Sequence, residues 1–387
     1  MRRLTELLKT TSFVGYKRKD RHVDERGFKR GTVRLMEIGS EFWLDNVPTE
    51  HSSGTPEWID KFGNTVLTSC CRGAISLSLH EAQPESRTVL LPGYVCDSVI
   101  LPFFTLGYDC YFYDIDADLA PDLGSIATYG KVGIFLHMGY FGFPANSVLS
   151  DVVKKFKAES TIIIEDITHS LFSDYQRFRE NDYYVASLRK WVGIPSGGFL
   201  ASPNRPIKGV MQRNDVFANT RREALLGKAR YINDVDGASK AQYLDQFAGG
   251  EAYIDSDPAP YHIDALSKAI IGRLDVNELK EIRKNNYKIL AEGLRGIENI
   301  EPVFAELPDD VCPIFFPVYI NMNRNEIQQR LIDHDIYCTV HWPRPKQVEF
   351  NRLTNAAQIF NTILSIPCDQ RYSQEDMERV LRVLGGL

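Results

Sequence analysis

The sequence predicts an α/β protein: one large, mostly parallel sheet between helices, followed by a small α+β unit. Three observations lead there. Short apolar runs alternate with helix-forming stretches from about residue 64 to 202, the pattern of strand–helix–strand crossovers. The run Ile162, Ile163 and Ile164 lacks the polar alternation of a half-exposed strand and reads as one buried on both faces, as inside a parallel sheet. From residue 206 to 298 the chain is charged and helix-favouring, and the part beyond returns to mixed strand and helix signals.

The strand candidates are 88–92, 110–114, 132–137, 161–166, 183–187 and 198–202, with helices near 73–82, 94–106 and 148–158 between them. In sheets of this kind ligands bind beyond the carboxyl ends of the strands, where Pro92, His137 and Asp166 fall. Further on, Leu266, Ile270 and Leu274, then Leu279, Ile282, Ile289 and Leu290, give helices with one apolar stripe. The stretch 249–261 (GGEAYIDSDPAPY) is expected to break them as a loop. Residues 313–320 and 336–342 read as strands, and 324–335 as a helix facing inward with Ile327 and Leu331. The chain closes on a helix that Ser373 and Asp376 cap as a box, with Met377, Val380, Leu381 and Leu384 buried. The organisation is thus an N-terminal segment, 1–60, a large α/β domain, 61–260, and a connecting helix with a small α+β domain, 261–387.

Composition narrows the function. Of 387 residues 43% are hydrophobic and 25% charged, as in an ordinary globular protein, and the formal net charge is −6. An acidic balance argues against nucleic acid as a partner. The basic cluster of Arg2, Arg3, Lys17, Arg18, Lys19 and Arg21 is interspersed with acids and reads as a solvated face. The longest apolar stretch, PIFFPVYI, is well short of the roughly 18 residues that span a bilayer, so no membrane insertion is expected. The start, MRRLTELLKTT, lacks the apolar core of a signal peptide. Seven scattered cysteines with no zinc-ligand spacing fit reduced thiols in the cytoplasm and no metal site.

The chemistry starts at Asp166. A carboxylate ending a buried strand is costly unless it meets a positive charge. Lys190 follows the next strand candidate and precedes a glycine-containing turn; Ser187 and Arg189 lie beside it. A lysine amine that can attack a carbonyl, with a buried carboxylate and phosphate donors, is what pyridoxal 5'-phosphate (PLP) requires. The acid keeps the pyridine nitrogen protonated, and the lysine holds the cofactor covalently.

At these residues the chain resembles the fold-type-I PLP enzymes, and among them the DegT/StrS-type sugar aminotransferases, from about residue 37 to the C-terminus. EIGSEFWL is similar to that family's N-terminal entry, TSCCRGAISLSL to its phosphate-holding turn, and VLLPGYVCDSVILPFFTLGYDCYFYDID to its strand–helix–strand. IFLHMGYFGFP, IIIEDITHS, SLRKWVGIPSGGFL and ILSIPCDQRYSQEDMERVL follow in the family's order. The resemblance implies a mostly parallel sheet of the seven-stranded type. It implies Lys190 as the cofactor lysine and proton-moving base, Asp166 on the pyridine nitrogen and His169 near the phenolic oxygen. Cys71, Arg72 and Gly73 would meet the phosphate at a helix start, with Ser187 adding its hydroxyl; Tyr94 or Cys96 would lie over the ring, and His137, at a neighbouring strand end, is expected among the cofactor-binding residues.

It further implies an aminotransferase with two half-reactions, taking an amino group from an amino-acid donor such as glutamate and giving it to a nucleotide-linked keto sugar. A homodimer is expected in which a partner residue completes the phosphate site, with Tyr261 or His262 in the place of the family's asparagine. Departures accompany it: Cys-Cys-Arg replaces Ser-Gly-Thr in the phosphate turn, Val185 replaces a serine, and HMGYFGF is longer than usual. The helical region at 206–298 has no evident task within the chain and is expected to reach across a two-fold axis. Two alternatives stay open: another PLP chemistry on the same fold, such as a lyase, aldolase or desulfurase, and a non-catalytic regulator or scaffold. Lys190 disfavours the dehydrating branch that carries histidine there.

Overall fold

A computed structural model describes residues 36–45 and 56–386. The basic cluster at the N-terminus lies outside them, as does most of the segment 1–60. The first described elements are β1 (Ile38–Gly39), α1 (Glu57–Asp60), β2 (Asn64–Thr68) and α2 (Cys71–Ala82). Next come β3 (Thr88–Pro92), α3 (Asp97–Thr105), β4 (Asp109–Tyr113), α4 (Leu123–Ala127) and β5 (Ile134–Met138). They are followed by α5 (Ser150–Ala158), β6 (Ile162–Asp166), β7 (Tyr183–Ser187) and β8 (Gly198–Ser202).

Seven of these strands form the large sheet in the order β2-β8-β7-β6-β5-β3-β4. The run from β7 to β4 is parallel, while β8 and β2 are added antiparallel. Its centre is apolar throughout, with Leu90, Ile134, Phe135, Ile163, Ile164, Val185 and Phe199 fully buried. The six expected strands are all present. The seventh, β2, gave no clear signal because its middle residues are only half-buried, as suits an edge strand.

Two long antiparallel-packed helices follow, α6 (Asp215–Ile232) and α7 (Lys240–Ser256), then α8 (Ala265–Ile271) and α9 (Val276–Gly293). Here the expectation of a loop at 249–261 is corrected: α7 runs through Gly249 and Gly250 to Ser256, and only 257–260 is irregular. The helix gains from Gly250 what propensity costs it. A Cβ there would lie 2.9 Å from Arg221 Cγ, so glycine lets α6 and α7 approach closely. The idea that this region has no task within the chain is likewise corrected, because Arg221 and Glu251 from the hairpin line the cleft that also holds Asp166 and Lys190.

The remainder contains β9 (Ile300–Pro302), β10 (Phe316–Ile320), α10 (Arg324–Ile332), β11 (Ile336–Tyr337), α11 (Thr354–Thr362), β12 (Ile363–Ile366) and α12 (Gln374–Gly385). Strands β12-β10-β9 make a small antiparallel sheet, and β11 pairs with β1. The expected strand at 336–342 is therefore a two-residue one followed by irregular chain, which carries Trp342 into the cleft. The Ser373–Asp376 capping box starts α12. Among the described residues no helix is long and apolar enough to cross a membrane.

Candidate active site

Strand register explains which side chains reach the cleft. On the parallel pair β5–β6, His137 lies beside Glu165 and Met138 beside Asp166. Successive side chains alternate faces. Met138 and Asp166 line a cleft of about 250 Å³, with Lys190, His169 and Thr168. His137 and Glu165 face the other way.

Asp166 is 2% exposed, and its Oδ1 accepts the Thr168 N–H at 2.8 Å. Burial pushes its pKa up, opposed by the Thr168 hydrogen bonds and the Lys190 charge. Among the described residues no cation forms an ion pair with it. Thr168 also accepts the Ser187 N–H on its Oγ1 at 3.0 Å, tying the end of β6 to the end of β7. From there a single 3-10 turn, Leu188–Lys190, delivers the lysine. The turn is fixed by the next residue: Trp191 is fully buried and donates its Nε1–H to Thr168 O at 2.7 Å. Lys190 Nζ stands 5.4 Å from the centre of the Trp342 ring. No hydrogen bond or ion pair among the described residues holds it. The Gly197–Gly198 pair after the lysine is a close-approach device: a Cβ on Gly198 would lie 2.2 Å from Cys70 O.

His169 is fully buried, and its Nδ1 accepts the Phe141 N–H at 3.3 Å. Burial, then the Lys190 and His341 charges, push its pKa well below the ordinary histidine value. The ring is therefore neutral with its proton on Nε2, and Nε2 has no partner among the described residues. Trp342 Nε1 is also buried without a partner. Two unsatisfied buried donors at one cleft are unusual. They fit a ligand that brings acceptor oxygens between them, and a pyridine-based cofactor with a phenolic oxygen is such a ligand.

The other anticipated residues divide. Cys71 and Arg72 line the cleft at the start of α2, while Gly73 faces the loop at Ala259 and gives its N–H to Cys70 Sγ at 3.5 Å. Burial, then the Asp166 charge, push the Cys71 thiol well above its ordinary pKa, so it is neutral. Ser187 lines the cleft; Val185 is inside the sheet, paired with Asp166. Cys96 lines it too, but Tyr94 does not. Tyr94 is fully buried behind Trp342 (ring centres 5.1 Å apart) and donates its hydroxyl proton to His341 O.

His137 is a correction. Its Nε2 meets Asn181 Oδ1 at 3.0 Å and its Nδ1 meets Asn146 Nδ2 at 2.9 Å, on the face away from the cleft. Its place at a strand end was legible, but one step in register decides the face. The hydroxyl of Tyr261 meets Asp257 at 2.6 Å within its own chain. Residues not anticipated are Thr168, Trp342, Arg221 and Glu251. Thr168 had a signal, since it stands two residues after a strand-end Asp and can close an Asx-type turn. The others come from distant segments and had none.

The fold, a large mostly parallel sheet flanked by helices with a small antiparallel sheet, is the one seen in solved PLP aminotransferase structures. Residues 261–385 match the DegT/DnrJ/EryC1/StrS aminotransferase family. No curated protein matches the sequence. Among solved structures, the aminotransferase TlmJ from Streptoalloteichus hindustanus is similar at 19% identity and TM-score 0.62, over 85% of this chain and 88% of that one. The sugar aminotransferase CalS13 from Micromonospora echinospora is similar at 19% and 0.60, over 84% and 88%. DesV from S. venezuelae is similar at 16% and 0.64, over 85% and 86%. At such identities these likenesses show the fold.

Proposed function

We propose that the chain moves an amino group from an amino-acid donor, glutamate, to a keto sugar carried on a nucleotide. The observation that carries this reading is the single cleft in which an unrestrained Lys190 amine, a buried unpaired Asp166 and the partnerless His169 Nε2–H meet. In support, the family match names aminotransferases and CalS13, a fold neighbour, is a sugar aminotransferase. PLP, when bound, supplies an electron sink that stabilises negative charge at the carbon beside the amine.

The chain's residues have distinct tasks. Lys190 would hold the cofactor covalently, and its Nζ amine would be the base that moves the proton at the donor's Cα. Asp166 holds a proton on the pyridine nitrogen, and its own burial makes that charge pairing favourable. Thr168 orients Asp166 and Ser187 together. His169 donates Nε2–H to the phenolic oxygen. Cys71 and the start of α2, with Ser187, would bind the phosphate end, and Cys96 would contribute to the wall around the ring. We place the protein in the cytoplasm as a homodimer, supported by its seven unpaired cysteines and by the prevalence of two-fold assemblies.

The test is a half-reaction. Mixing cofactor-loaded protein with L-glutamate should bleach the cofactor's visible band and release stoichiometric 2-oxoglutarate; a nucleotide-linked keto sugar should restore the band. Asp166→Asn should keep the bound cofactor and lose most of this turnover. A bound cofactor that never yields an oxo acid from any amino donor would instead favour a lyase or aldolase.

A further inference from the structure

Arg72, Arg189 and Arg221 come from three separate elements and converge at one end of the cleft. They share the carboxylate of Glu251: Arg189 Nη1 lies 2.6 Å from it, Arg221 Nη1 2.8 Å and Arg72 Nη1 3.3 Å. Arg72 Nη2 also meets Asp255 at 2.6 Å, and Arg221 Nη2 meets Glu41 at 3.4 Å. Those two outer acids are half-exposed, with side chains 52% and 44% accessible, and each engages one fork from the solvent side. The arginines are not: Arg221 is 3% exposed and Arg72 9%.

Donors exceed acceptors here. Each guanidinium carries five N–H groups, and the Nε atoms of Arg72, Arg189 and Arg221 are all buried without partners among the described residues. The three acids meet only Nη atoms of the forks, so each Nε is left over. Burial would raise the Glu251 pKa, but the arginines, Arg189 first, overcome it and hold the group well below the usual carboxylate range. A network whose only task was to fasten α6 and α7 to the sheet would not leave three buried charged donors unmatched, since each costs free energy. A compact dianion with three acceptor oxygens would match them. The start of α2, which Arg72 occupies, lies at the same cleft, and a helix N-terminus favours an anion.

We propose that Arg72, Arg189 and Arg221 form a cradle for the phosphate of a phosphate monoester, and that Glu251 is a built-in anion that holds the cradle together until the phosphate replaces it. The inference rests on the reading of the cleft as a PLP site and assigns the cradle to the cofactor's phosphate. It lets a single chain supply strong donors in place of the hydroxyls its phosphate turn lacks.

The experiment measures binding rather than turnover, with the full chain. PLP, pyridoxal and inorganic phosphate are titrated against wild type, Glu251→Gln, Arg72→Met and Arg189→Met, with thermal melts of each. Phosphate should compete with PLP and not with pyridoxal. Either arginine change should weaken PLP at least tenfold and leave pyridoxal within about twofold. Glu251→Gln should tighten phosphate and PLP severalfold. If Arg189→Met fails to fold, Arg189→Lys, which keeps the charge and loses the fork, should still weaken PLP relative to pyridoxal. The proposal is overturned if PLP and pyridoxal respond alike, or if Glu251→Gln lowers phosphate affinity together with the melting temperature. It is also overturned if phosphate binds the PLP-loaded protein through these arginines, which would give the cradle to a second ligand. Phosphate binding that Glu251→Gln tightens, without any covalent PLP, would keep the cradle and sink the aminotransferase reading.

Discussion

His137 and Glu165 sit side by side on one face of β5 and β6; Met138 and Asp166, one residue later on each strand, sit side by side on the other. The first face is chemically closed. Asn146, His137, Asn181, Glu165 and Arg177 form a continuous chain of hydrogen bonds, ending in a 2.5 Å pair between Arg177 and Glu165. None of these five leaves a buried polar atom unpaired among the described residues. The second face is open: among the described residues Asp166 has no ion-pair partner, and His169 Nε2 and Trp342 Nε1 have no hydrogen-bond partner. Both faces hold buried acids and a histidine, so residue type does not separate structure from function here. Satisfaction does. A saturated network stabilises the fold, whereas an unsaturated one is completed by a ligand.

The contrast can be broken by mutation, and the largest effect falls on the open face. Lys190→Ala should lower amino transfer by more than about 10³-fold and leave the melting temperature unchanged. A comparable loss of stability would show the lysine to be structural. Next comes the closed face. Arg177→Met strands Glu165, which is 1% exposed, and should cost about 3–5 kcal/mol in denaturant unfolding, with cofactor affinity retained in the folded fraction.

The adjacent acids should then respond with opposite signs in the cofactor-free protein. Glu165→Gln weakens its pair with Arg177 and should destabilise by about 1–3 kcal/mol. Asp166→Asn should stabilise at neutral pH. Burial raises the folded pKa of Asp166, so the folded state holds its proton longer than the unfolded state as pH rises. Stability contributed by this group is present below the ordinary value near 3.9 and declines as pH climbs through the raised one. Unfolding curves between pH 4 and 7 should therefore diverge between wild type and variant. Equal slopes would deny the unpaired state of Asp166. The smallest effect belongs to Thr168→Val, which removes one acceptor from the Ser187 N–H and should cost about 1 kcal/mol.

Much of this was legible along the chain. Runs such as Ile162–Ile164 and Tyr183–Ser187 mark buried strands, because a strand inside a parallel sheet cannot carry polar side chains on either face. Asp166 and Lys190 stood out because a charge at the end of an apolar run needs a reason. What was not legible was partnership. Arg221 and Glu251 lie on a helical hairpin whose sequence shows only charge and a glycine pair, and Trp342 comes from the far end of the chain. His137 was misplaced because spacing places a residue at a strand end, while register decides the face it takes.

The central claim is that the open face is a cofactor site built on Lys190. The most direct measurement is borohydride reduction of the PLP-loaded protein, followed by peptide mapping. The label should appear on the peptide containing Lys190, at one per chain, and should vanish in Lys190→Ala. Label on any other lysine, or none with PLP in excess, would contradict it.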